Sequence, residues 1–302
     1  MSIKKSLAPA LITALALTFG LDALAQDQRA SLAERIELPE HARVRFEQLA
    51  KALESQQWPA STELHAAPKI DRDLHPVLTA LPAPSRAVTE RRFDDEPWGS
   101  GHWSWRDVTR KAHSPRLEGA LDLSITLAPD ARAAHAALIA DLSESQLPID
   151  AVVNMLGGAR GPEDLGDLAW LVDSRDGNSR QVVFLRSNLV VRLRSSGNMV
   201  EPALAIAREI DGDIKAQEAM DRKTLLSRRP RVQLEAPGRE EGVLNYSVKS
   251  DVDSPILAER VVIDGQGFPA GGGKIRVPGG DYERVDLIAI TAELLAGTGS
   301  LP

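Results

Sequence analysis

The sequence predicts an α+β protein: a helical N-terminal arm, an α+β domain built on an antiparallel β-meander, and a small C-terminal β-sandwich. Three observations carry that expectation. ALDLSITL (120–127) alternates strictly, with Leu121, Leu123, Ile125 and Leu127 on one side and Asp122, Ser124 and Thr126 on the other. LAWLVD (168–173), QVVFLR (181–186) and LVVRLR (189–194) are three short strand signals in close succession, separated by Asp176-Gly177 and Ser187-Asn188. After residue 231 the chain becomes a series of short strands, several of them separated by Gly- and Pro-containing turns.

Taken in order, residues 1–25 read as an export signal. Lys4 and Lys5 precede the apolar run Leu7–Leu21, and Ala23-Leu24-Ala25 fits the small-x-small cleavage rule. Pro9 and Gly20 interrupt the run, which is shorter than the roughly 20 residues a spanning helix needs. The expected mature protein begins at Gln26, lies in the periplasm or is fully secreted, and has no membrane span. Losing Lys4, Lys5 and Asp22 moves the formal charge from −7 to −8. Such an acidic chain gives no electrostatic reason to bind nucleic acid.

Residues 26–97 are expected to form a helical arm and a Pro-rich extended connection. PEHARVRFEQLAKALES starts at Pro39 and spaces Ala42, Phe46, Leu49 and Leu53 as one apolar stripe, suited to docking on its own chain. Pro59, Pro68, Pro76, Pro82 and Pro84 then break any period, with a short helix near DLHPVLTAL. Residues 98–222 read β-α-β-β-β-α, with helices after Pro129 and Pro202 on one face of an antiparallel layer. RKTLLSRRPR suggests a basic linker at 223–230, and the sandwich follows over 231–302.

LNYSVKSDVDSPILAERVVIDGQG and GKIRVPGGDYERVDLIAITAELLAGTGSLP resemble the bacterial immunoglobulin-like modules appended to exported proteins. That resemblance implies an immunoglobulin-like sandwich acting as a spacer or binding surface, and it lends no catalytic residue. Around Gly166-Asp167 and QVVFLRSNLVVRL the chain loosely resembles small exported α+β domains, a likeness that implies no activity.

Zero cysteines exclude disulfides, thiolate metal sites and cysteine nucleophiles. The six histidines include no i, i+4 pair, so no metal or other cofactor is expected. Asp173, Asp176 and Asn178 lack EF-hand spacing and read as a polar turn. GQGFPA is followed by Pro and Gly where a dinucleotide site needs a helix, and AGGGK lacks the rest of a phosphate loop. No G-x-S-x-G occurs, and carboxylate pairs such as Asp94-Asp95 are ordinary in an acidic chain.

Two features could contact a ligand. WGSGHWSW holds Trp98, Trp103 and Trp105, three of five tryptophans. They form either a sugar-binding shelf or a core edge, and the second is favoured in a chain with so few aromatics, where each indole is valuable buried mass. In the meander, Val182, Phe184 and Arg186 share a face with Leu189, Val191 and Leu193. The opposite face carries Val183, Leu185, Val190, Arg192 and Arg194 and reads first as a solvated sheet face, its two arginines forming with Arg180 a possible anion patch. The sequence therefore predicts an exported, non-catalytic binding or interaction module, with an envelope protein or glycan as partner. The alternative is a hydrolase whose site lies between the arm and the α+β domain.

Overall fold

In a computed structural model, the described residues are 32–54, 58, 60–111, 114–144, 148–158, 161–235, 243–250, 254–276 and 282–301. The expected signal segment and Gln26, His113, and the turns Pro237-Gly238 and Gly279-Gly280 lie outside them.

The protein is α+β, with antiparallel sheets. The arm contains α1 (Glu40–Ala52), a 3-10 turn (Arg72–Leu74) and α2 (Pro76–Thr79). Ala42, Phe46, Leu49 and Leu53 are all buried, so the predicted stripe is a docked face. Next come β1 (Ser85–Phe93), β2 (Glu96–Lys111), β3 (Ser114–Leu127), α3 (Ala131–Ser143) and α4 (Ile149–Gly158). A second run holds β4 (Leu168–Asp173), β5 (Ser179–Arg186), β6 (Leu189–Gly197), α5 (Ala203–Ala216) and α6 (Arg222–Ser227).

These strands form one six-stranded sheet in the order β1-β2-β3-β6-β5-β4. It is two meanders joined edge to edge through β3 and β6. The segment read as an extended connection therefore contains an edge strand, β1, whose polar SRAVTERRF shows no apolar alternation. Asp94 and Asp95 both take positive φ (49° and 63°), making the two-residue turn that joins β1 to β2. Ser187-Asn188 turns β5 into β6 and pairs Val182, Phe184 and Arg186 with Leu193, Val191 and Leu189, the register the sequence suggests.

The expectation of helices on one face does not hold. Asp141 of α3 receives Arg91 and Arg192, whereas Asp211 of α5 receives Arg186, and the pleat puts Arg192 and Arg186 on opposite faces. Val183, Leu185 and Val190, expected on a solvated face, are as buried as Val182, Phe184 and Val191. A near-continuous apolar run is what a strand covered on both sides requires.

The C-terminal unit comprises β7 (Arg231–Leu234), β8 (Val243–Lys249), β9 (Ile256–Ile263), β10 (Gln266–Pro269), β11 (Lys274–Arg276), β12 (Val285–Thr291) and β13 (Ala296–Leu301). They form a four-stranded sheet, β10-β9-β12-β13, and a three-stranded one, β11-β8-β7. Within β12, Val285 and Leu287 belong to the unit's own core, while Ile288 and Ile290 enter the main core of the molecule. The strand is thus buried on both sides and joins the two cores.

The basic junction differs from the bare linker expected. It holds α6, buries Leu225, and pairs Arg228 with Glu293 at 2.6 Å. Arg229 lies 4.3 Å from the Trp98 ring centre and 3.4 Å from Glu96. Cationic side chains that read as solvent-facing are held by acids and an indole brought in from other elements.

Candidate functional site

β2 presents its residues alternately to the two faces of the sheet. Trp103 and Trp105 go to the face that holds α5, where only 2% and 1% of their surface stays exposed, and Trp98, on the other side, is fully buried. Gly101 is needed because the Trp103 ring lies where its Cβ would be, and Gly99 because the Leu294 carbonyl approaches it. All three indoles are core, and they offer no open shelf to a sugar.

The other face of the same strand continues outward as His102, Ser104 and Arg106. In register beside them lie Ser124 and Asp122 of β3, then Arg192 and Arg194 of β6. Toward the Thr126 end of this face, alanine-rich α3 covers the sheet. Ala133, Ala134, Ala136, Ala137 and Ala140 let the helix approach closely, and Thr126, Val190 and Leu185 are buried. Past the Arg192 level the rows turn polar. There His102, Arg106, Asp122, Ser124, Arg192 and Arg194 line a cleft of about 330 Å³.

Asp122 accepts from Ser104 Oγ at 2.5 Å and from Arg106 at 2.9 Å. His102 Nδ1 meets Ser124 Oγ at 3.1 Å, and its Nε2 stands 3.9 Å from Asp122. Arg192 is 3.4 Å from Asp141, which Arg91 holds more tightly at 2.6 Å. Arg194 is the exception, since among the described residues no acid stands within ion-pair distance of it. Arg194 is an exposed residue, yet partial desolvation on the cleft wall and the adjacent Arg192 charge lower its pKa from the ordinary arginine value, with Asp122 and Asp141 opposing from further away. An arginine nevertheless stays protonated at neutral pH. Arg91, Arg106 and Arg192 thus share two carboxylates, Asp141 and Asp122, and Arg194 adds a fourth guanidinium beside them, a local positive surplus in a chain of net charge −7.

Sequence reasoning placed Arg192 and Arg194 together but misassigned Arg180. The register sets Arg180 opposite Ser195, on the other face, where it pairs with Asp173 at 2.6 Å. His102, Arg106, Asp122 and Ser124 were missed as site members. The strict alternation of ALDLSITL already marked Asp122 and Ser124 as facing away from the core, and only the pairing of β2 with β3 adds the rest.

The space between arm and α+β domain is a more open hollow lined by Arg35, Trp58, Asp130 and His135. Its polar groups have structural duties. Asp130 caps α3 through the Ala133 N–H and binds Arg35 at 2.7 Å, while Trp58 stacks on His135 with ring centres 4.7 Å apart. Among the described residues no three metal-ligating side chains gather, and no helix is long and apolar enough to cross a membrane. The chain matches no protein-family model, no curated protein and no solved structure.

Proposed function

We propose that the protein is an exported, non-catalytic binding module that takes an anionic group of its ligand in the cleft around Arg194. Export rests on the character of residues 1–25. Binding rests on one observation: a guanidinium with no acid at ion-pair distance among the described residues, next to a second arginine and flanked by Ser124 and His102, on the uncovered part of the sheet. A planar cation with several donors suits carboxylate, phosphate or sulfate. The ligand class that fits an exported protein is an acidic glycan or an acidic segment of an envelope protein.

The C-terminal unit is, in this reading, an immunoglobulin-like module. Lettered A, B, C, C′, E, F, G in chain order, its strands divide into A-B-E and C′-C-F-G. Immunoglobulin-like sandwiches likewise keep A, B and E in one sheet and C, F and G in the other. Joined to the main core through β12, it would orient the cleft relative to its surroundings.

Ser124, His102 and Asp122 invite a hydrolase reading, but their geometry argues for binding. Asp122 is occupied by Ser104 and Arg106, and 3.9 Å is too long for it to orient the imidazole. The backbone N–H groups of interior strands point along the sheet into ladder bonds, so they are not aimed at an oxyanion above its face.

Isothermal titration with inorganic phosphate, sulfate and glucuronate tests the proposal. At least one should bind, and Arg194→Ala should weaken it about tenfold or more, as expected for loss of a charged hydrogen bond. Binding by none of the three, or equal binding by the variant, would overturn it.

A further inference from the structure

The β2–β3 hairpin outruns its sheet. Pairing with β1 stops at Ser104 and pairing with β6 stops at Gly119, yet β2 and β3 stay paired out to Lys111 and Ser114. The ribbon beyond those limits projects roughly 20 Å, at about 3.3 Å per residue. A register shift at Asp107/Val108 puts Val108 directly opposite Leu117. Both are exposed, at 44% and 55%, and they are two of only four exposed large apolar side chains among the described residues. From Val108 to Leu117 the sequence has no acid and three basic residues, Arg110, Lys111 and Arg116. At the arm's base Asp107 accepts from Asn198, while Glu118 accepts from Thr109 and lies 3.6 Å from Arg116, one of the three cations.

We propose that this arm docks the protein on a bilayer surface rich in anionic headgroups. An acid-free basic segment on a chain of net charge −7 is charge-complementary to such a surface and not to neutral lipid. The apolar pair is far too small for a protein interface, which needs about 800 Å² on each partner. It does suit shallow burial at the boundary between headgroups and acyl chains, carried there by a narrow projection. The proposal stands apart from whatever occupies the Arg194 cleft.

Co-sedimentation of the full chain with vesicles tests it, comparing phosphatidylglycerol–phosphatidylcholine mixtures with phosphatidylcholine alone. Binding to the anionic vesicles is expected to fall as salt rises. Val108→Ser combined with Leu117→Ser should weaken it about fivefold or more through lost apolar burial. Because both side chains are exposed, the melting temperature should not move, and titration of phosphate into the cleft should be unchanged. Equal binding to neutral vesicles, no vesicle binding, or an unaffected double variant would overturn the proposal. So would binding to polyglutamate in place of vesicles. Failure of Arg194→Ala to alter phosphate binding would instead count against the cleft alone.

Discussion

Strand β2 has two faces with opposite fates. Trp103 and Trp105 are sealed beneath the elements that cover one side, while His102 and Arg106 on the other side line an open cleft. The same contrast recurs between two arginines of the β5–β6 pair. Arg186 is clamped by Asp167 at 2.5 Å and by Asp211 at 2.8 Å, whereas Arg194 has no such acid among the described residues. Residue type does not decide the role. The covering element and the counter-charges it brings do.

The largest expected effect comes from breaking the sealed side. Trp105→Ala removes a fully buried indole, and such truncations cost about 3–5 kcal/mol. Chemical denaturation should show that loss with little change in anion binding by the cleft. A stability change under about 1 kcal/mol would mean that the covering elements collapse into the space or are not firmly seated.

A smaller effect is expected at the Arg186 clamp. The Asp211 carboxylate, nearly fully buried, receives Arg186, Lys215 and the Gly166 N–H. Burial on its own would raise the Asp211 pKa, but those donors outweigh it and hold the carboxyl below its ordinary value. Asp130 behaves alike, with burial opposed by Arg35 and the Ala133 N–H. Depressed folded-state values mean that both contribute stability above the unfolded pKa of about 3.9. That contribution disappears as pH falls through the lower folded values. Acid titration of the melting temperature should therefore decline below about pH 4. Asp211→Asn, which removes an acceptor and leaves guanidinium donors short of a partner, should cost about 1–3 kcal/mol at neutral pH and flatten the acid decline. An unflattened decline would assign the acid sensitivity to other carboxylates.

Much of this contrast was legible in the sequence, and its gaps have physical causes. The alternation of ALDLSITL and the turn at Ser187-Asn188 fixed the inner register, because a slip of one residue would turn every apolar side chain outward. Val182–Leu185 and Val285–Thr291 read as strands, yet which neighbours cover their second faces is a tertiary fact. β1 was hidden because an edge strand with a polar SRAVTERRF sequence shows neither period. β13 was hidden because AGTGSL is rich in glycine, and Gly297 and Gly299 are needed where Pro230 and Val232 come close. The basic junction read as exposed because Glu96, Glu293 and Trp98 lie far away in sequence. Arg180 was misplaced for a simpler reason: counting by two from Val182 already sets it on the other face.

The smallest stability effect should fall on the residue with the largest functional one. Arg194→Ala removes a guanidinium that no acid among the described residues holds at ion-pair distance, and that Arg192 repels while Asp122 and Asp141 attract it from further away. Surface substitutions of this kind usually fall within about ±0.5 kcal/mol, and relief of the repulsion should offset part of the lost aliphatic packing. Arg192→Ala provides the control, since it also removes a contact to Asp141 and should cost slightly more. Measured by denaturant titration without added anion, Arg194→Ala is expected to match the parent. With an anion that binds in the cleft, the parent should gain stability by mass action and the variant should not. A variant clearly destabilised without any anion would give Arg194 the same structural role as Arg186. The open side of β2 would then be one more packed surface of the fold.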